Sequence, residues 1–206
     1  MGSKQYGAYR AVKRTIDVVV SLIALLVFGI PMLVIAFLIK LSDVHAPVFF
    51  RQPRTGLGGR RFDVLKFRTM VRNADELKEQ LRHLSLVPYP DFRLENDPRV
   101  TRLGRFLRKT SLDELPQLLN VLYGQMSLVG PRPTSFDVST YDLWHTGRLE
   151  FRPGITGPWQ VFGRDSMDFD ERCRLDIVFF RHPTIWGEIR LLLMTVLVMF
   201  RRTGAA

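Results

Sequence analysis

The sequence predicts a mostly helical α+β protein that is embedded in a membrane through its N-terminal segment. Three observations lead to this prediction. Residues 18–39 contain no charged side chain, two short strand-like runs flank a glycine-rich turn, and apolar residues recur at helical spacing in several later segments. The chain therefore divides into a membrane element over residues 10–42 and a larger domain over residues 43–202.

The uncharged stretch is long enough to cross a bilayer as one helix, because a helix rises about 1.5 Å per residue. Pro31 lies inside it, where proline removes a backbone donor and bends the helix. Basic residues flank both ends of the stretch, and positive charge marks the cytoplasmic side of a membrane segment. Two interpretations stay open at this point. One is an ordinary kinked transmembrane helix, and the other is a re-entrant helix that enters, bends at Pro31 and returns.

The charge balance predicts a polyanionic partner. Thirty Lys and Arg against 20 Asp and Glu give a net charge of +10, which suits nucleic acid, an anionic membrane face or a phosphorylated substrate. The single cysteine, Cys173, excludes an internal disulfide framework and fits a reducing compartment. The four histidines show no zinc-ligand spacing.

Residues 48–50 and 61–67 are predicted to form two short strands. The glycines between them are Gly56, Gly58 and Gly59. Their spacing does not match a G-x-G-x-x-G phosphate loop and no helix start follows, so a hairpin turn is predicted. Lys66 and Arg68 alternate with a phenylalanine, so both basic side chains would emerge on one face of the second strand.

Apolar spacing predicts helices through most of the remaining chain. Their ranges are 70–84, 101–109, 112–122, 168–180 and 189–200. The segment 101–109 is amphipathic and basic, which fits either a membrane-surface helix or a solvated face of a soluble helix. Residues 189–200 are too few to span a membrane and indicate a core or interfacial helix. Residues 159–162 are predicted as a further short strand.

The stretch R-K-T-S-L-D-E-L-P-Q places two adjacent carboxylates, Asp113 and Glu114, in a cationic setting. Glu114 could simply close a capping box with Ser111, three residues earlier. Asp113 would lie near the start of the following helix, where the helix dipole favours the ionised form and a low pKa. Such a carboxylate can act as a nucleophile or a metal ligand. A rigid G-P-R-P turn presents Arg132, whose side chain is suited to binding phosphate.

Five motifs occur in an order that points to a family. They are KFRTM at 66–70, DPRVT at 97–101, LRKTSLDELPQ at 107–117, SLVGPRP at 127–133 and PGITG at 153–157. In these motifs the sequence resembles the monotopic bacterial phosphoglycosyl transferases, which form the bacterial sugar transferase family. The resemblance covers residues 10–202.

The resemblance implies transfer of a sugar-1-phosphate from a UDP-sugar to polyprenol (undecaprenyl) phosphate, which initiates lipid-linked glycan or exopolysaccharide assembly. It implies a ping-pong reaction in which Asp113 is the nucleophile and Glu114 its catalytic companion. It also implies Mg²⁺ as cofactor, with Asp113 as its ligand. The residues implied for phosphate binding are Arg132, Arg108, Lys66 and Arg68. The candidates for a nucleotide-sugar pocket are Gln160, Arg164 and Asp176.

The resemblance also favours the re-entrant hairpin over residues 10–42 and a cytoplasmic catalytic domain with membrane-interface helices over residues 43–202. Both termini would lie on the cytoplasmic face of the bacterial inner membrane. A nucleic-acid partner is not expected, and a homodimer is compatible with the resemblance. Ile30 precedes Pro31 where the family often has serine, and Phe162 stands where a small polar residue is usual. These departures bear on the sugar more than on the reaction, and galactose or glucose is the expected sugar.

A function of another class explains part of the same sequence. A membrane-anchored basic module that binds anionic lipid or nucleic acid without catalysis would account for the charge and the apolar stretch. It gives no reason for two adjacent acids in a cationic setting. Release of UMP from a UDP-sugar would distinguish the two functions, because only the transferase releases UMP. A third hypothesis makes this chain the catalytic end of a longer ancestor, since many relatives in the family carry extra N-terminal spans.

Overall fold

The computed structural model describes residues 3–86, 92, 94–163 and 167–203 of the 206-residue chain. The fold is mostly helical with two small sheets, which confirms the predicted class. The α-helices are α1 (Ser3–Ser42), α2 (Ala74–Gln80), α3 (Arg102–Lys109), α4 (Gln117–Leu122), α5 (Pro158–Phe162), α6 (Phe169–Arg181) and α7 (Ile185–Thr203). The strands are β1 (Phe49–Thr55), β2 (Arg61–Phe67), β3 (Ser127–Val129) and β4 (Gly154–Thr156). Short 3₁₀ helices cover Leu57–Gly59, Arg82–Leu84, Leu112–Glu114, Val138–Thr140 and Leu143–Glu150.

The apolar stretch lies inside the long helix α1, which continues through Pro31. Within the described ranges, one helix is long and apolar enough to cross a membrane, over Gly7–Ser42. Many of its apolar side chains face away from the rest of the protein, and Leu26 is 82% and Ile30 76% exposed. A surface of this kind is unfavourable in water and suits a hydrocarbon environment. The helix is therefore compatible with membrane association, while the re-entrant bend stays a prediction.

Two separated parts of α1 pack against the domain that follows. Near the start of the helix, the buried Asp17 accepts hydrogen bonds from Ser127 Oγ at 2.8 Å and from the Leu128 amide at 3.1 Å. Near its end, the buried Ile39 belongs to a hydrophobic cluster with Phe67. The exposed middle of the helix lies between these two attachments.

Strands β1 and β2 form an antiparallel hairpin, which confirms the predicted turn. The pairing begins with Phe49 opposite Phe67. In the turn, Gly58 and Gly59 have φ angles of 62° and 76°, which glycine adopts without a steric penalty. Strand β1 extends beyond the predicted residues 48–50 and includes a proline, which an edge strand tolerates.

A second sheet, which was not predicted, joins β3 and β4 in parallel. Each strand has three residues, too few for an alternation pattern to be recognised. The two backbones approach closely beside this sheet. A Cβ atom added to Gly130 would lie only 2.2 Å from the Arg152 carbonyl oxygen, so this position requires glycine. The strand predicted over residues 159–162 is wrong. These residues belong to α5, where Pro158 favours a helix because it stands in the first turn.

Helices α3, α6 and α7 confirm three helices predicted from apolar spacing, whereas two others are shorter than predicted. The helix predicted over 70–84 begins later, at α2, because Met70 pairs with Val100 in an antiparallel bridge. The helix predicted over 112–122 is divided into a 3₁₀ turn and α4. Pro116 stands between them, where its missing amide proton prevents a continuous helix.

Two hydrophobic clusters form the core on either side of the acidic pair. The buried residues of the larger cluster are Val64, Leu118, Val121, Met126, Leu128, Val129, Phe180 and Leu191. Those of the smaller cluster are Ile35, Ile39, Phe67 and Leu107. Leu115 packs against both clusters. Because Leu115 directly follows Glu114, this packing anchors the acidic pair between the two halves of the core.

Candidate active site

The acidic pair lies in a tight turn between α3 and α4. Ser111 has a φ angle of 56°, and Leu112–Glu114 then form one turn of 3₁₀ helix. A non-glycine residue in this left-handed conformation costs about 1 kcal/mol or more, so the turn is held by its surroundings. The Ser111 side chain makes no capping hydrogen bond, and the Glu114 carboxylate binds elsewhere. The capping-box interpretation of Glu114 is therefore wrong.

Glu114 is held by two cations. Its Oε1 accepts hydrogen bonds from Lys66 Nζ at 3.0 Å and from Arg132 Nη2 at 2.6 Å, and its Oε2 accepts one from Arg132 Nη1 at 3.3 Å. Burial by itself raises the pKa of this carboxyl, but the charges of Arg132 and Lys66 and their hydrogen bonds outweigh burial. The pKa of Glu114 therefore lies well below its ordinary value. Such a carboxylate is a weak base, so the geometry favours a positioning role.

Asp113 differs from its neighbour in having no recorded hydrogen bond or ion pair to another side chain within the described residues. The residue is only 8% exposed. Burial raises the pKa of Asp113 above its ordinary value, and the negative charge of Glu114 raises it further. The positive charges of Lys66 and Arg108 lower the pKa but do not cancel the increase. The low pKa expected from a helix dipole is wrong, because a single 3₁₀ turn supplies little dipole and the carboxyl is desolvated.

The backbone of Arg132 is held by a buried ion pair between Arg148 and Asp176. Arg148 donates from Nη2 to the Arg132 carbonyl at 3.0 Å and to Asp176 Oδ2 at 2.7 Å. The side chains of Arg148 and Asp176 are 3% and 0% exposed. Burial raises the pKa of Asp176 to about 7, against the charge and hydrogen bond of Arg148. This pair fixes the backbone from which the Arg132 guanidinium reaches Glu114.

The buried placement of Asp176 corrects the prediction that this residue lines a nucleotide-sugar pocket. A side chain with no exposed surface does not contact a ligand, and Asp176 acts instead through Arg148. The importance of Arg148 was missed by sequence reasoning. It lies in the 3₁₀ helix Leu143–Glu150, outside all five motifs, and no local pattern distinguishes it from a solvated arginine.

Of the two basic residues predicted on β2, only Lys66 meets the acidic pair. Arg68 follows the last residue of the strand, and its Nε donates to the Pro47 carbonyl at 3.1 Å. The two-residue alternation that predicted a shared face ends with the strand, so Arg68 is free to turn back toward β1. Its phosphate-binding role stays a prediction.

Asn120 ties α4 to the strand that carries Lys66. Its Oδ1 accepts a hydrogen bond from the Leu65 amide at 2.9 Å, and its Nδ2 donates to the Asp63 carbonyl at 2.7 Å. The residue is 1% exposed. Since Leu65 precedes Lys66, these bonds fix the strand at the point where the lysine leaves it. These contacts join residues 55 and 57 positions apart in the chain, so no local pattern predicts them.

A cavity of about 300 Å³ lies next to the acidic pair and is lined by Glu114, whereas Asp113 is not among its lining residues. Its polar side includes Arg108, Ser111, Glu114 and Gln160, and its apolar side includes Leu118 and Val198. Arg108 is steadied by a hydrogen bond from its Nε to Thr69 Oγ1 at 2.9 Å. Gln160 Oε1 is buried and has no hydrogen-bond partner within the described residues. The structure thus brings Gln160 to the site, whereas Arg164 lies outside the described residues.

This combination of groups defines a class of site. A buried carboxylate, without a side-chain partner among the described residues, lies near three cations, Lys66, Arg108 and Arg132. Its neighbour Glu114 lines a cavity that is polar on one side and apolar on the other. Cations of this kind bind phosphate, and an unpaired carboxylate can attack phosphorus. The fold and the site therefore define a membrane-compatible protein suited to chemistry on phosphate esters.

Comparison with known proteins agrees with this class. The profile described as bacterial sugar transferase matches residues 8–202. The chain belongs to the bacterial sugar transferase family, which confirms the resemblance drawn from the five motifs.

Three named relatives illustrate the match. The chain is 43% identical over 201 residues to the undecaprenyl-phosphate galactose phosphotransferase of Salmonella typhimurium, covering 95% of this chain and 42% of the relative. It is 42% identical over 207 residues to the UDP-galactose-lipid carrier transferase of Erwinia amylovora, covering 95% and 42%. It is 39% identical over 202 residues to the exopolysaccharide production protein ExoY of Rhizobium meliloti, covering 94% and 89%. The chain thus spans less than half the length of the first two relatives and most of the third.

Proposed function

We propose that this protein transfers a sugar-1-phosphate from a UDP-sugar to a polyprenol phosphate through a phosphosugar intermediate on Asp113. The observation that carries the proposal is the contrast between two adjacent carboxylates. Glu114 is bound by Lys66 and Arg132, whereas Asp113 has no side-chain partner within the described residues. One carboxylate orients cations and the other keeps its lone pairs for attack on phosphorus. The names of the relatives support these substrate classes.

In the first step, a carboxylate oxygen of Asp113 attacks the sugar-bearing phosphorus of the UDP-sugar. The bond from this phosphorus to the UMP oxygen breaks, and its electron pair leaves with UMP. The raised pKa of Asp113 makes the ionised carboxylate a better nucleophile than an ordinary one. The charges of Lys66 and Arg108 offset the repulsion between the carboxylate and the diphosphate.

In the second step, a phosphate oxygen of the polyprenol phosphate attacks the same phosphorus. The bond to Asp113 breaks and the carboxylate is regenerated. The cavity beside the acidic pair suits this acceptor, because Arg108 and Ser111 line its polar side and Leu118 and Val198 its apolar side. The phosphate binds the polar side and the first part of the hydrocarbon chain binds the apolar side.

The donor set fits Mg²⁺ shared with the substrate. Within the described residues no group of three or more His, Cys, Asp or Glu side chains could hold a metal, and both Glu114 oxygens are engaged by cations. Mg²⁺ commonly uses one or two carboxylates together with substrate phosphates. Asp113 is the proposed protein ligand, and the ion would neutralise phosphate charge and stabilise the leaving UMP.

The proposal includes a re-entrant α1 on the cytoplasmic face of the bacterial inner membrane. It is supported by the two attachments of α1 to one domain, through Asp17 and through Ile39, because a straight span would carry one of them to the opposite side. Cysteine labelling of Arg10→Cys and Arg51→Cys, each in a Cys173→Ser background, tests the topology. Both positions should react from the cytoplasmic side. Reaction of the two positions from opposite sides would refute the re-entrant helix.

The function is tested by mixing the purified protein with Mg²⁺ and a UDP-sugar in the absence of acceptor. We expect a burst of UMP that does not exceed the amount of enzyme, together with protein-bound sugar phosphate. Continuous turnover should begin only when polyprenol phosphate is added. UMP release that strictly requires the acceptor in the first turnover would contradict the intermediate. Running the assay with UDP-galactose and UDP-glucose tests the expected sugar.

A further inference from the structure

Two further cavities lie side by side, away from the catalytic site. Their volumes are about 410 and 550 Å³, and both are lined by Leu57 and Arg152. Neither shares a lining residue with the cavity beside the acidic pair. The arginines that line the two cavities are Arg10, Arg14, Arg60, Arg61 and Arg152, here named the Arg152 cluster.

Basic residues outnumber acidic residues around the two cavities. The larger cavity is lined by Arg60, Arg61 and Arg152, and no carboxylate is among its described lining residues. The smaller cavity includes Asp17 and Glu150. These two acids face four cations in the lining of that cavity, namely Arg10, Lys13, Arg14 and Arg152. A concave site lined by more cations than acids favours the binding of an anion.

Individual contacts support this conclusion. The Nε of Arg152 is buried and has no hydrogen-bond partner within the described residues. Burial lowers the pKa of Arg152, and the nearby charges of Arg14 and Arg10 lower it further, with Asp17 opposing. The guanidinium of Arg14 donates to two carbonyl oxygens of α4 at 2.6 and 2.9 Å. These acceptors are the last carbonyls of α4 and carry only partial negative charge, so Arg14 has no carboxylate partner in these two bonds.

The cluster lies next to the membrane segment. Arg14 precedes the uncharged stretch by four residues, which is about 6 Å along a helix. An apolar residue, Leu57, which is 37% exposed, lines both cavities together with the arginines. If the apolar middle of α1 occupies hydrocarbon, the arginines lie at the level of lipid phosphates.

We propose that the Arg152 cluster binds the phosphate headgroup of an anionic phospholipid, at a site distinct from the catalytic cavity. The position beside the uncharged stretch favours a lipid over a soluble polyanion, because a lipid phosphate is presented at this depth while its chains remain beside α1. Each cavity also has a volume in the range that suits one small ligand. The inference does not depend on the transferase reaction.

The test uses the full chain purified in detergent micelles and the double variant Arg60→Gln/Arg152→Gln. The ligand is short-chain phosphatidylglycerol, and thermal unfolding and native mass spectrometry measure its binding. The wild type should be stabilised and should retain one bound lipid, and the double variant should bind about tenfold more weakly or worse. Short-chain phosphatidylcholine should have no such effect. The matched control is Arg51→Gln/Arg105→Gln, which removes the same charge from two other exposed arginines and should bind like the wild type.

Three results would overturn the proposal. The first is equal lipid binding by the wild type and the Arg60/Arg152 double variant. The second is an equal loss of lipid binding in the control variant. The third is tighter binding of a single-stranded oligonucleotide or of inorganic phosphate than of phosphatidylglycerol at the same site. The single variant Arg60→Gln guards against a folding defect, since Arg60 is exposed. It should show an intermediate loss. UMP release in phosphatidylcholine nanodiscs should be unchanged in the variants. Failure of the lipid site would therefore appear as unchanged lipid binding, whereas failure of the proposed function would appear as absent UMP release in the wild type.

Discussion

Arg132 and Glu114 form a two-point ion pair, with Nη2 2.6 Å from Oε1 and Nη1 3.3 Å from Oε2. Glu114 directly follows Asp113 in the chain, and Arg132 binds both oxygens of the Glu114 carboxylate. The ion pair therefore keeps Glu114 charged and fixes an arginine near Asp113, which has no side-chain partner in the part of the chain that the structure describes. A substrate phosphate that enters the site meets a guanidinium already oriented by Glu114 and supported by Arg148. This arrangement makes the roles of the two acids experimentally separable.

Replacing Asp113, the proposed nucleophile, should stop the proposed first half-reaction. We expect Asp113→Asn to reduce UMP release by about three orders of magnitude or more, because the amide has no anionic oxygen to attack phosphorus. Burst-phase measurement of UMP checks this, and covalent sugar phosphate should be absent from the protein by mass spectrometry. The amide is similar in size and replaces a carboxyl that lacks side-chain partners, so thermal unfolding should be nearly unchanged. Turnover close to that of the wild type would reject Asp113 as the nucleophile.

The acidic limb of the pH–rate profile should report Asp113 and should respond to Glu114. Asp113 must be ionised to attack, so kcat/KM should fall as pH falls through its raised pKa. In Glu114→Gln a negative charge that raises the pKa of Asp113 is lost, while Lys66 stays cationic. The pKa of Asp113 should therefore decrease and the acidic limb should move to lower pH, although the overall rate declines. A limb that stays in place or moves upward would contradict this electrostatic coupling.

Arg132→Lys should weaken binding of the UDP-sugar although the charge is kept. A lysine ammonium cannot make two parallel hydrogen bonds to a carboxylate or a phosphate. We expect KM for the donor to rise about tenfold or more, measured by steady-state kinetics. Arg51→Lys is the matched control, because Arg51 is exposed and outside the site, and it should have wild-type kinetics. Equal effects of the two substitutions would argue against a specific role for Arg132.

Removing the buried support of Arg132 should affect stability first. Asp176→Ala leaves the Arg148 guanidinium buried without its acidic partner, and we expect the free energy of unfolding to fall by about 3 kcal/mol. Asp176→Asn keeps an oxygen acceptor for Arg148 and should lose less. Chemical unfolding in detergent measures both. A direct ligand-binding role of Asp176 would instead raise KM in the Asn variant with no loss of stability.

Gly130→Ala should destabilise the parallel sheet of β3 and β4, because Gly130 lies between β3 and Arg132. The new Cβ atom would lie 2.2 Å from the Arg152 carbonyl oxygen and 2.7 Å from the Gly154 nitrogen. Both neighbours are backbone atoms, so the strands must separate, at a cost of about 1–3 kcal/mol. Thermal unfolding measures the loss, and donor KM should rise because Arg132 moves. Gly7→Ala is the control, since nothing lies within 4 Å of a Cβ atom there, and it should not destabilise the protein.

Several elements of the fold could be predicted because their signals are local. The hairpin follows from a glycine-rich turn between two strand-like runs, and α3, α6 and α7 follow from apolar spacing. The sheet of β3 and β4 could not be predicted in this way. Its strands have three residues each, and they are joined by backbone hydrogen bonds between distant parts of the chain, such as that from the Gly130 amide to the Thr156 carbonyl.

The acidic pair shows the same division at the candidate site. Its position and its cationic neighbourhood were evident from the sequence, and so was the family. Which carboxylate is paired was not evident, because Glu114 meets Lys66 at a sequence separation of 48 residues and Arg132 at 18. A local interpretation assigned Glu114 to a helix cap and gave Asp113 a low pKa, and the structure reverses both.

The sequence by itself determined the uncharged stretch, the five ordered motifs and the identity of the residues with chemistry, because each of these is written in neighbouring positions. Only the tertiary structure decided that Glu114 has side-chain partners while Asp113 has none among the described residues. It also decided that Asp176 lies beneath Arg132 and that five arginines gather around two further cavities. These features depend on burial and on distances between charges. Both are set by the packing of segments far apart in the chain, so no local pattern of residues encodes them.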